Sequence, residues 1–145
     1  TYLLVNSYLY RIAYLMVRYF RADTPEESSQ VSGTNYHIQQ AVDYIEKHFK
    51  EDLSAADVAA KAGLSREHFS RIFREYTGVT FKRFLTSLRL AVAYRLLVGT
   101  ELSTMDIALS AGFPDSQNFS RHFKQHYGCP PAEYRRTCAR PSARK

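Results

Sequence analysis

The chain contains an internal repeat of helix-forming sequence, and this feature limits the possible folds more than any other. Residues 53–63, LSAADVAAKAG, align with residues 102–112, LSTMDIALSAG, at an offset of 49 residues. Further along, FSRIFREYTG at 69–78 pairs with FSRHFKQHYG at 119–128 at an offset of 50 residues. Two copies of one supersecondary unit at this density are hard to obtain by chance. The fold must therefore contain the same unit twice, with one inserted residue in the second copy.

Each copy predicts two short helices joined by a tight turn. A small residue in the first helix, Ala59 or Ala108, lets a second helix approach closely. The helix then reaches Gly63 or Gly112, and glycine tolerates the left-handed backbone conformation of such a turn. The turn is completed by an apolar residue expected to be buried (Leu64, Phe113) and a polar residue expected to cap the next helix (Ser65, Asp115). Each copy is therefore interpreted as a helix-turn-helix.

The second helix of each copy has an apolar face and a polar face. The apolar residues, expected to be buried, are Phe69, Ile72 and Phe73 in the first copy and Phe119 and Phe123 in the second. The polar residues are Arg66, Glu67, Ser70, Arg71 and Arg74 in the first copy and Ser116, Gln117, Asn118, Ser120, Arg121 and Lys124 in the second. On an exposed helix, Arg, Gln and Asn can make paired hydrogen bonds to base edges in a major groove, while Lys and Ser more often contact phosphate. The polar faces therefore favour DNA binding.

The chain outside the repeat also favours helices. Hydrophobic side chains recur at three- and four-residue steps over residues 36–50, on one face of a helix (Ile38, Val42, Ile45, Phe49). Ser54 is expected to cap the next helix, with Asp57 in its first turn, where the helix dipole favours an acid. Six glycines and five prolines are few for an all-β chain, which must turn about every ten residues. We therefore expect an all-α fold.

The first twenty residues, TYLLVNSYLYRIAYLMVRYF, are the most apolar stretch of the chain. Arg11 lies at their centre and no small-residue cleavage site follows, so neither a membrane span nor a signal peptide is expected. Apolar residues recur at heptad spacing beside a polar stripe, which predicts an amphipathic helix with a narrow seam. Two interpretations remain open, a core helix of a larger domain and a helix that dimerises with a second copy. The next segment, ADTPEESSQVSGTN at residues 22–35, predicts a flexible linker.

The excess of positive over negative charge lies in the part of the chain that follows residue 50. The formal net charge is +6, from 20 Lys and Arg against 14 Asp and Glu. Residues 1–50 hold five basic and five acidic side chains, so residues 51–145 carry the whole excess. A basic half joined to a neutral half suggests a module that binds a polyanion. Two cysteines are too few for a disulfide framework, and a cytoplasmic protein is expected.

From about residue 36 to residue 136 the chain resembles the DNA-binding domain of the AraC/XylS family of bacterial transcription regulators. Three segments carry the resemblance: LSAADVAAKAGLSREHFSRIFREYTG, TFKRFLTSLRLAVAYRLL and IALSAGFPDSQNFSRHFKQHYGCPPAEYR. This resemblance implies an all-α fold in which two helix-turn-helix subdomains are joined by a long central helix. The amphipathic helix and the flexible linker precede them. The expected segments are a terminal helix of a sensor and dimerisation domain (1–21), the linker (22–35), the DNA-binding domain (36–138) and a basic tail (139–145). Within the DNA-binding domain we expect the first helix-turn-helix at 53–78, the central helix at 81–97 and the second helix-turn-helix at 102–128.

The resemblance also implies roles for individual side chains. Base-reading roles fall on Glu67, Ser70 and Arg71 in the first unit and on Gln117, Asn118 and Arg121 in the second. Contacts to the DNA backbone are expected from Ser65, Arg66, Arg74, Lys82, Arg83, Ser116, Ser120 and Lys124. An acid such as Glu67 can accept only from cytosine N4 and repels phosphate, so Glu67 is either a selectivity element or a solvent-facing residue.

The expected function is that of a sequence-specific transcription regulator, and the resemblance implies that it is an activator. Both recognition helices would read successive major grooves of double-stranded promoter DNA, under the control of an effector sensed in a preceding N-terminal domain. RNA polymerase and a second copy of the chain, joined through that N-terminal domain, are candidate partners, and no membrane is expected. A protein-interaction adaptor with little DNA binding is the alternative.

The sequence gives little support for an enzymatic function. It contains no nucleophile paired with a base, no phosphate-cradling glycine loop and no metal-ligand cluster, so we expect no catalytic residue, no metal site and no cofactor. His122 and His126 have metal-ligand spacing, but HFKQH lacks the glutamate of a zinc peptidase motif. Arg89 and Arg135 are each expected to form a structural salt bridge or to contact phosphate.

Overall fold

The computed structural model describes residues 29–138, which form seven α-helices and no strand. The helices are α1 (Ser29–His48), α2 (Ala55–Lys61), α3 (Arg66–Thr77), α4 (Phe81–Gly99), α5 (Thr104–Ala111), α6 (Ser116–Tyr127) and α7 (Pro131–Cys138). The expectation of an all-α fold with two helix-turn-helix motifs is confirmed for this part of the chain. The predicted helix at 1–21, the first part of the predicted linker and the basic tail lie outside the described residues.

Helix α1 begins earlier than the sequence pattern predicted. It starts at Ser29, so residues 29–35 are helical and not part of a linker. Three apolar side chains of α1 are fully buried and anchor the helix (Ile38, Val42, Ile45), and the sequence from residue 29 to this anchor contains no proline that would stop the helix from extending backwards. Phe49, predicted as a fourth member of this face, lies after the end of α1 and is half-buried.

The described residues divide into two compact units, each with its own core. The first unit comprises residues 29–48 and 52–85, in which α1, α2 and α3 pack against one another. Its buried side chains come from all three helices and from the start of α4 (Ile38, Val42, Ile45, Val58, Ala59, Phe69, Ile72, Phe73, Leu85). Phe73 makes edge contacts with the rings of Phe81 and Phe84, at centroid distances of 6.3 and 5.4 Å. These aromatic contacts tie α3 to the first turn of α4.

The second unit comprises residues 49–51 and the chain from residue 86 onwards. Its core is formed by Leu90, Ala93, Leu97, Ile107, Ala108, Ala111, Phe113, Phe119, Phe123 and Tyr134. Tyr94 stacks on Tyr127 at 5.4 Å, and both rings pack against this core. Helix α4 is therefore shared, because its first residues belong to the first unit and the remainder to the second.

Two arginines of the second unit bind main-chain carbonyl groups. Arg89 donates from Nε to the carbonyl of Phe49 and from Nη2 to the carbonyl of Glu51, both at 2.8 Å. Arg89 therefore has a structural role through main-chain carbonyls, and its predicted contact with phosphate stays a prediction. An arginine fork can satisfy two carbonyl groups that have no helix or sheet partner, which the sequence gives no way to foresee.

Arg135 of α7 has the same kind of role at the end of α4. Its guanidinium donates to the carbonyls of Leu97, Thr100 and Leu102 at 3.1, 3.3 and 2.7 Å. The last carbonyls of a helix have no partner within the helix, and a cation at this end also interacts favourably with the helix dipole. Arg135 therefore caps the central helix through carbonyl groups and not through a salt bridge, and its predicted phosphate contact stays a prediction.

Candidate nucleic-acid interface

The first helix of each helix-turn-helix begins with the same serine and aspartate cap. In α2 the Ser54 hydroxyl accepts from the backbone N–H of Asp57 at 3.2 Å, and the Asp57 carboxylate accepts from the backbone N–H of Ser54 at 3.1 Å. In α5 the Ser103 hydroxyl accepts from the N–H of Asp106 at 3.1 Å and donates to its carboxylate. Hydrogen bonds from Ser54 lower the pKa of Asp57. The predicted cap at Ser54 is confirmed, and the repeat extends to its hydrogen bonds.

The turn of each unit uses a glycine in the left-handed conformation, as predicted. Gly63 has φ 70° and Gly112 has φ 90°. The residue after each glycine donates its N–H to the alanine five residues before it, Leu64 to Ala59 and Phe113 to Ala108, both at 2.9 Å. Each alanine is buried, which allows the close helix approach that the sequence indicated.

The residue after the glycine is buried more fully in the second unit than in the first. Phe113 is 4% exposed and its ring lies 5.3 Å from that of Phe119, whereas Leu64 is half-buried. The expectation of burial holds for Phe113 but only in part for Leu64. The shorter leucine side chain covers less of the helices on either side of the turn.

The recognition helices α3 and α6 share one framework. Each has 12 residues, and each begins after the predicted cap. Ser65 accepts from the N–H of His68 at 3.2 Å, and Asp115 accepts from the N–H of Asn118 at 2.6 Å. The phenylalanines that were predicted to face inward are all fully buried (Phe69, Phe73, Phe119, Phe123). Burial of one face fixes the rotation of each helix, and the opposite face is left in solvent.

The structure places five of the six predicted base-reading side chains in solvent. Exposed are Glu67, Ser70, Arg71, Gln117 and Arg121. Asn118 is half-buried, and its backbone N–H is held by the Asp115 cap. On a helical wheel Asn118 lies to one side of Gln117 and Arg121, because successive residues are rotated by about 100°. Its role as a base-reading residue stays a prediction, as do those of the others.

Most of the side chains predicted to contact the DNA backbone are exposed as well. They are Ser65, Arg66, Arg74, Lys82, Arg83 and Lys124, while Ser116 and Ser120 are half-buried. Lys82 and Arg83 lie in the first turn of α4, in the same unit as α3. The Ser65 hydroxyl, which accepts from His68, still has a proton to donate. The basic side chains predicted to contact phosphate thus lie on a recognition helix or in the first turn of α4.

The interface also contains exposed polar residues that the sequence analysis did not select. Glu75 lies on α3, and Arg71 pairs with it through an Nη1 to Oε1 distance of 3.7 Å. His68 and Gln125 are exposed too. The offset of 50 residues pairs Glu75 with Gln125 and His68 with Asn118. The repeat could therefore have identified His68 from its predicted counterpart Asn118, whereas Glu75 and Gln125 are counterparts of each other and neither was predicted.

The described residues hold no group of three or more His, Cys, Asp and Glu side chains arranged to bind a metal ion. His126 is partly buried, which lowers its pKa, and its ring lies 4.8 Å from that of Tyr127. Cys129 packs against the second core. Between residues 29 and 138, none of the helices has both the length and the apolar character needed to cross a membrane.

Two helix-turn-helix motifs, each with an exposed polar recognition helix, define a DNA-binding protein of the helix-turn-helix class. A family model described as a helix-turn-helix domain matches residues 58–137. The lactose operon transcription activator of Staphylococcus xylosus is 32% identical over 134 residues, which cover 92% of this chain and 47% of that protein. The Msm operon regulatory protein of Streptococcus mutans is 31% identical over 134 residues, covering 92% and 48%. The chain spans about half the length of these curated relatives.

Solved structures agree with this class. The DNA-binding domain of AdpA, in complex with a target DNA, has a TM-score of 0.66 at 31% identity and covers 68% of this chain and 89% of that one. The C-terminal domain of AraT, a response regulator from Geobacillus stearothermophilus, has a TM-score of 0.69 at 34% identity, covering 75% and 91%. An AraC-type transcriptional regulator from Chromobacterium violaceum has a TM-score of 0.65 at 32% identity, covering 77% and 99%. The chain belongs to the AraC-type family of DNA-binding transcription regulators, which confirms the resemblance; these proteins are not enzymes.

Proposed function

We propose that this protein regulates transcription by placing α3 and α6 in successive major grooves of promoter DNA, so that each helix reads its own half-site. The observation that carries the proposal is the shared framework of the two helices, which leaves a matched polar face exposed on each. A helix fits the major groove of B-DNA, where each base pair presents a distinct pattern of donors and acceptors. Two half-sites would then lie about 10 base pairs, or one helical turn, apart.

Charge supports the same function. The excess of basic side chains falls after residue 50, in the part of the chain that contains both helix-turn-helix motifs. Lys82 and Arg83 beside α3, and Lys124 on α6, would contact phosphates and fix the register of each helix on the duplex. The AdpA DNA-binding domain, which is similar in fold, was solved with its target DNA.

We further propose that a domain preceding this part of the chain senses an effector and pairs two copies of the protein. The curated relatives are about twice the length of the matched region. A xylose-binding transcription activator, named xylR, has a TM-score of 0.60 at 29% identity, and the match covers only 28% of that chain. Residues 1–21, with their heptad pattern, would then be the end of the sensor domain.

Selection from a random duplex library tests the DNA-reading part of the proposal. We expect recovered sequences to contain two conserved blocks about one helical turn apart. Affinity for a recovered site should exceed affinity for a scrambled duplex, and it should fall as salt rises, because phosphate contacts release counterions. Recovery of unrelated sequences, with weak and salt-independent binding, would instead favour the adaptor function.

Arginine substitutions separate base reading from phosphate binding. Arg71→Ala and Arg121→Ala should each cost about 1–3 kcal/mol of binding free energy and relax the preference within one half-site, a different one for each variant. The measurement is a titration against recovered sites that carry single base changes. Equal weakening on every sequence would show that these arginines bind phosphate, and the base-reading assignment would be wrong.

A further inference from the structure

The exposed faces of the two recognition helices differ in charge at matched positions. With α3 and α6 paired at an offset of 50 residues, Glu67 corresponds to Gln117 and Glu75 corresponds to Gln125. All four side chains are exposed. Glutamate and glutamine have nearly the same shape, so the two helices differ here in charge and hydrogen bonding and hardly at all in size. The chain itself thus offers a natural comparison of an acidic and a neutral version of one face.

In α3 the two glutamates lie four residues on either side of an arginine. Arg71 pairs with Glu75 at 3.7 Å, and both side chains are well exposed, 65% and 64%. An exposed ion pair of this kind contributes little to stability, and arginine ahead of glutamate is the weaker order on a helix. Folding therefore gains little from this pair.

Carboxylates on a recognition helix weaken the attraction to DNA but restrict which bases fit. Helix α3 carries three arginines and two glutamates, whereas α6 carries Arg121 and Lys124, with its one acid, Asp115, at the N-cap and away from the two matched positions. A glutamate repels phosphate and, among base edges, accepts a hydrogen bond from the amino group of cytosine. A glutamine both donates and accepts, so it fits more bases and repels none. The Glu75 carboxylate, 3.7 Å from Arg71, also offsets the attraction of that arginine to phosphate.

We propose that the two recognition helices differ in selectivity: α3, with Arg71 between Glu67 and Glu75, accepts fewer base sequences than α6, which has glutamines at the two matched positions. The inference rests on the proposed function, since it assumes that both helices reach the major groove. The half-site of α3 then contains a cytosine opposite Glu67, and its sequence is the more tightly restricted of the two. The half-site of α6 is the more variable of the two.

Isosteric exchanges between the helices test this proposal. Glu67→Gln and Glu75→Gln make α3 resemble α6, and Gln117→Glu and Gln125→Glu make α6 resemble α3. The probes are a duplex recovered from the random library and a scrambled duplex of the same composition. Each glutamine variant of α3 should bind the scrambled duplex roughly five-fold more tightly and should lose preference for the recovered site. Each glutamate variant of α6 should bind both duplexes more weakly.

Glu75→Gln should also steepen the dependence of log affinity on log salt by about one unit, because Arg71 becomes available to a phosphate. The melting temperatures of all four variants serve as the control for folding. If the α3 variants leave the ratio of the two affinities unchanged, the greater selectivity of α3 is refuted while the proposed function stands. If the unmodified protein binds both duplexes equally well, the proposed function itself is refuted.

Discussion

At the scale of single residues, the two turn glycines look alike in sequence but differ in their surroundings. Both adopt positive φ, which L side chains rarely do. A Cβ atom added at Gly63 would meet open space, whereas one added at Gly112 would lie 2.7 Å from Cα of Lys50 and 2.8 Å from the carbonyl oxygen of Phe49. Gly112 is therefore required both by its backbone conformation and by the close approach of another backbone segment.

Alanine at the two glycines should thus have unequal effects. Gly63→Ala should lower the free energy of unfolding by about 1–2 kcal/mol, the cost of the left-handed conformation. Gly112→Ala should lower the free energy of unfolding by the same amount and by about 1–3 kcal/mol more, because backbone atoms must move to make room for the added Cβ. Urea unfolding of both variants measures the difference. Equal losses would mean that the segment at residues 49–51 yields without cost.

The repeat predicted the residues whose partners are close in sequence. The caps at Ser54, Ser65 and Asp115 and the positive φ at Gly63 and Gly112 all follow from contacts within five residues. Burial of the inward-facing phenylalanines follows from helical periodicity in the same way. The site could be predicted to this extent because each recognition helix has its orientation set locally.

The partners of the two carbonyl-binding arginines could not be predicted. Arg89 bonds carbonyls 40 and 38 residues earlier in the chain, and Arg135 bonds carbonyls 33 to 38 residues earlier. Any carbonyl can accept, so composition and spacing carry no signal for such a contact. The start of α1 was missed for a related reason, since its tertiary anchors lie well inside the helix and not at its end.

At the scale of elements, the central helix α4 depends on another helix for its C-terminal end. Arg135 of α7 donates to three carbonyls at and beyond the last turn of α4. Without these bonds the carbonyls would need water or a strained turn. The end of α4 and the start of the second helix-turn-helix are thus fixed together by one side chain.

Removing the fork of Arg135 should therefore destabilise the second unit. Arg135→Met keeps the apolar stem but loses three charge-assisted bonds, and we expect a loss of about 1–3 kcal/mol. Arg136→Met is the matched control, because Arg136 is the exposed neighbour on the same helix and should change stability by no more than about 0.5 kcal/mol. Thermal unfolding of the two variants tests this, and equal melting temperatures would contradict the capping role.

At the scale of the whole molecule, stability is divided between two cores. Each unit buries its own set of phenylalanines and a small residue between its helices, Ala59 in one and Ala108 in the other. Core alanines at close helix contacts have no room for extra methylene groups. Under the proposed function, damage to one core should therefore first reduce the preference at the half-site assigned to the recognition helix of that unit.

Overpacking of one core makes this expectation testable. Ala108→Leu should destabilise the second unit by about 1–3 kcal/mol and remove the preference at its half-site. Amide hydrogen exchange should show loss of protection in α5 and α6 and retention in α2 and α3. Ala59→Leu should give the reverse pattern. Uniform loss of protection in both variants would mean that the two units unfold as one.

The pH dependence of stability should carry a contribution from His126. Burial lowers its pKa in the folded protein below the ordinary value of 6.5, so the unfolded chain takes up the proton more readily. The contribution is present above pH 6.5 and is lost as the pH falls from 6.5 towards the lowered pKa. Unfolding measured at about pH 7.5 and about pH 5.5 should show a smaller loss for His126→Gln than for the unmodified protein. Identical losses would contradict the effect.

The common framework of α3 and α6 has a consequence for how such a protein acquires new target sites. Both helices have the same length, the same inward-facing phenylalanines and a glycine after the last turn, so their outward-facing positions correspond one to one. Substitutions at those positions leave both cores untouched. Under the proposed function, half-site preferences can therefore be exchanged, duplicated or altered one at a time by surface changes that leave the buried residues of both units in place.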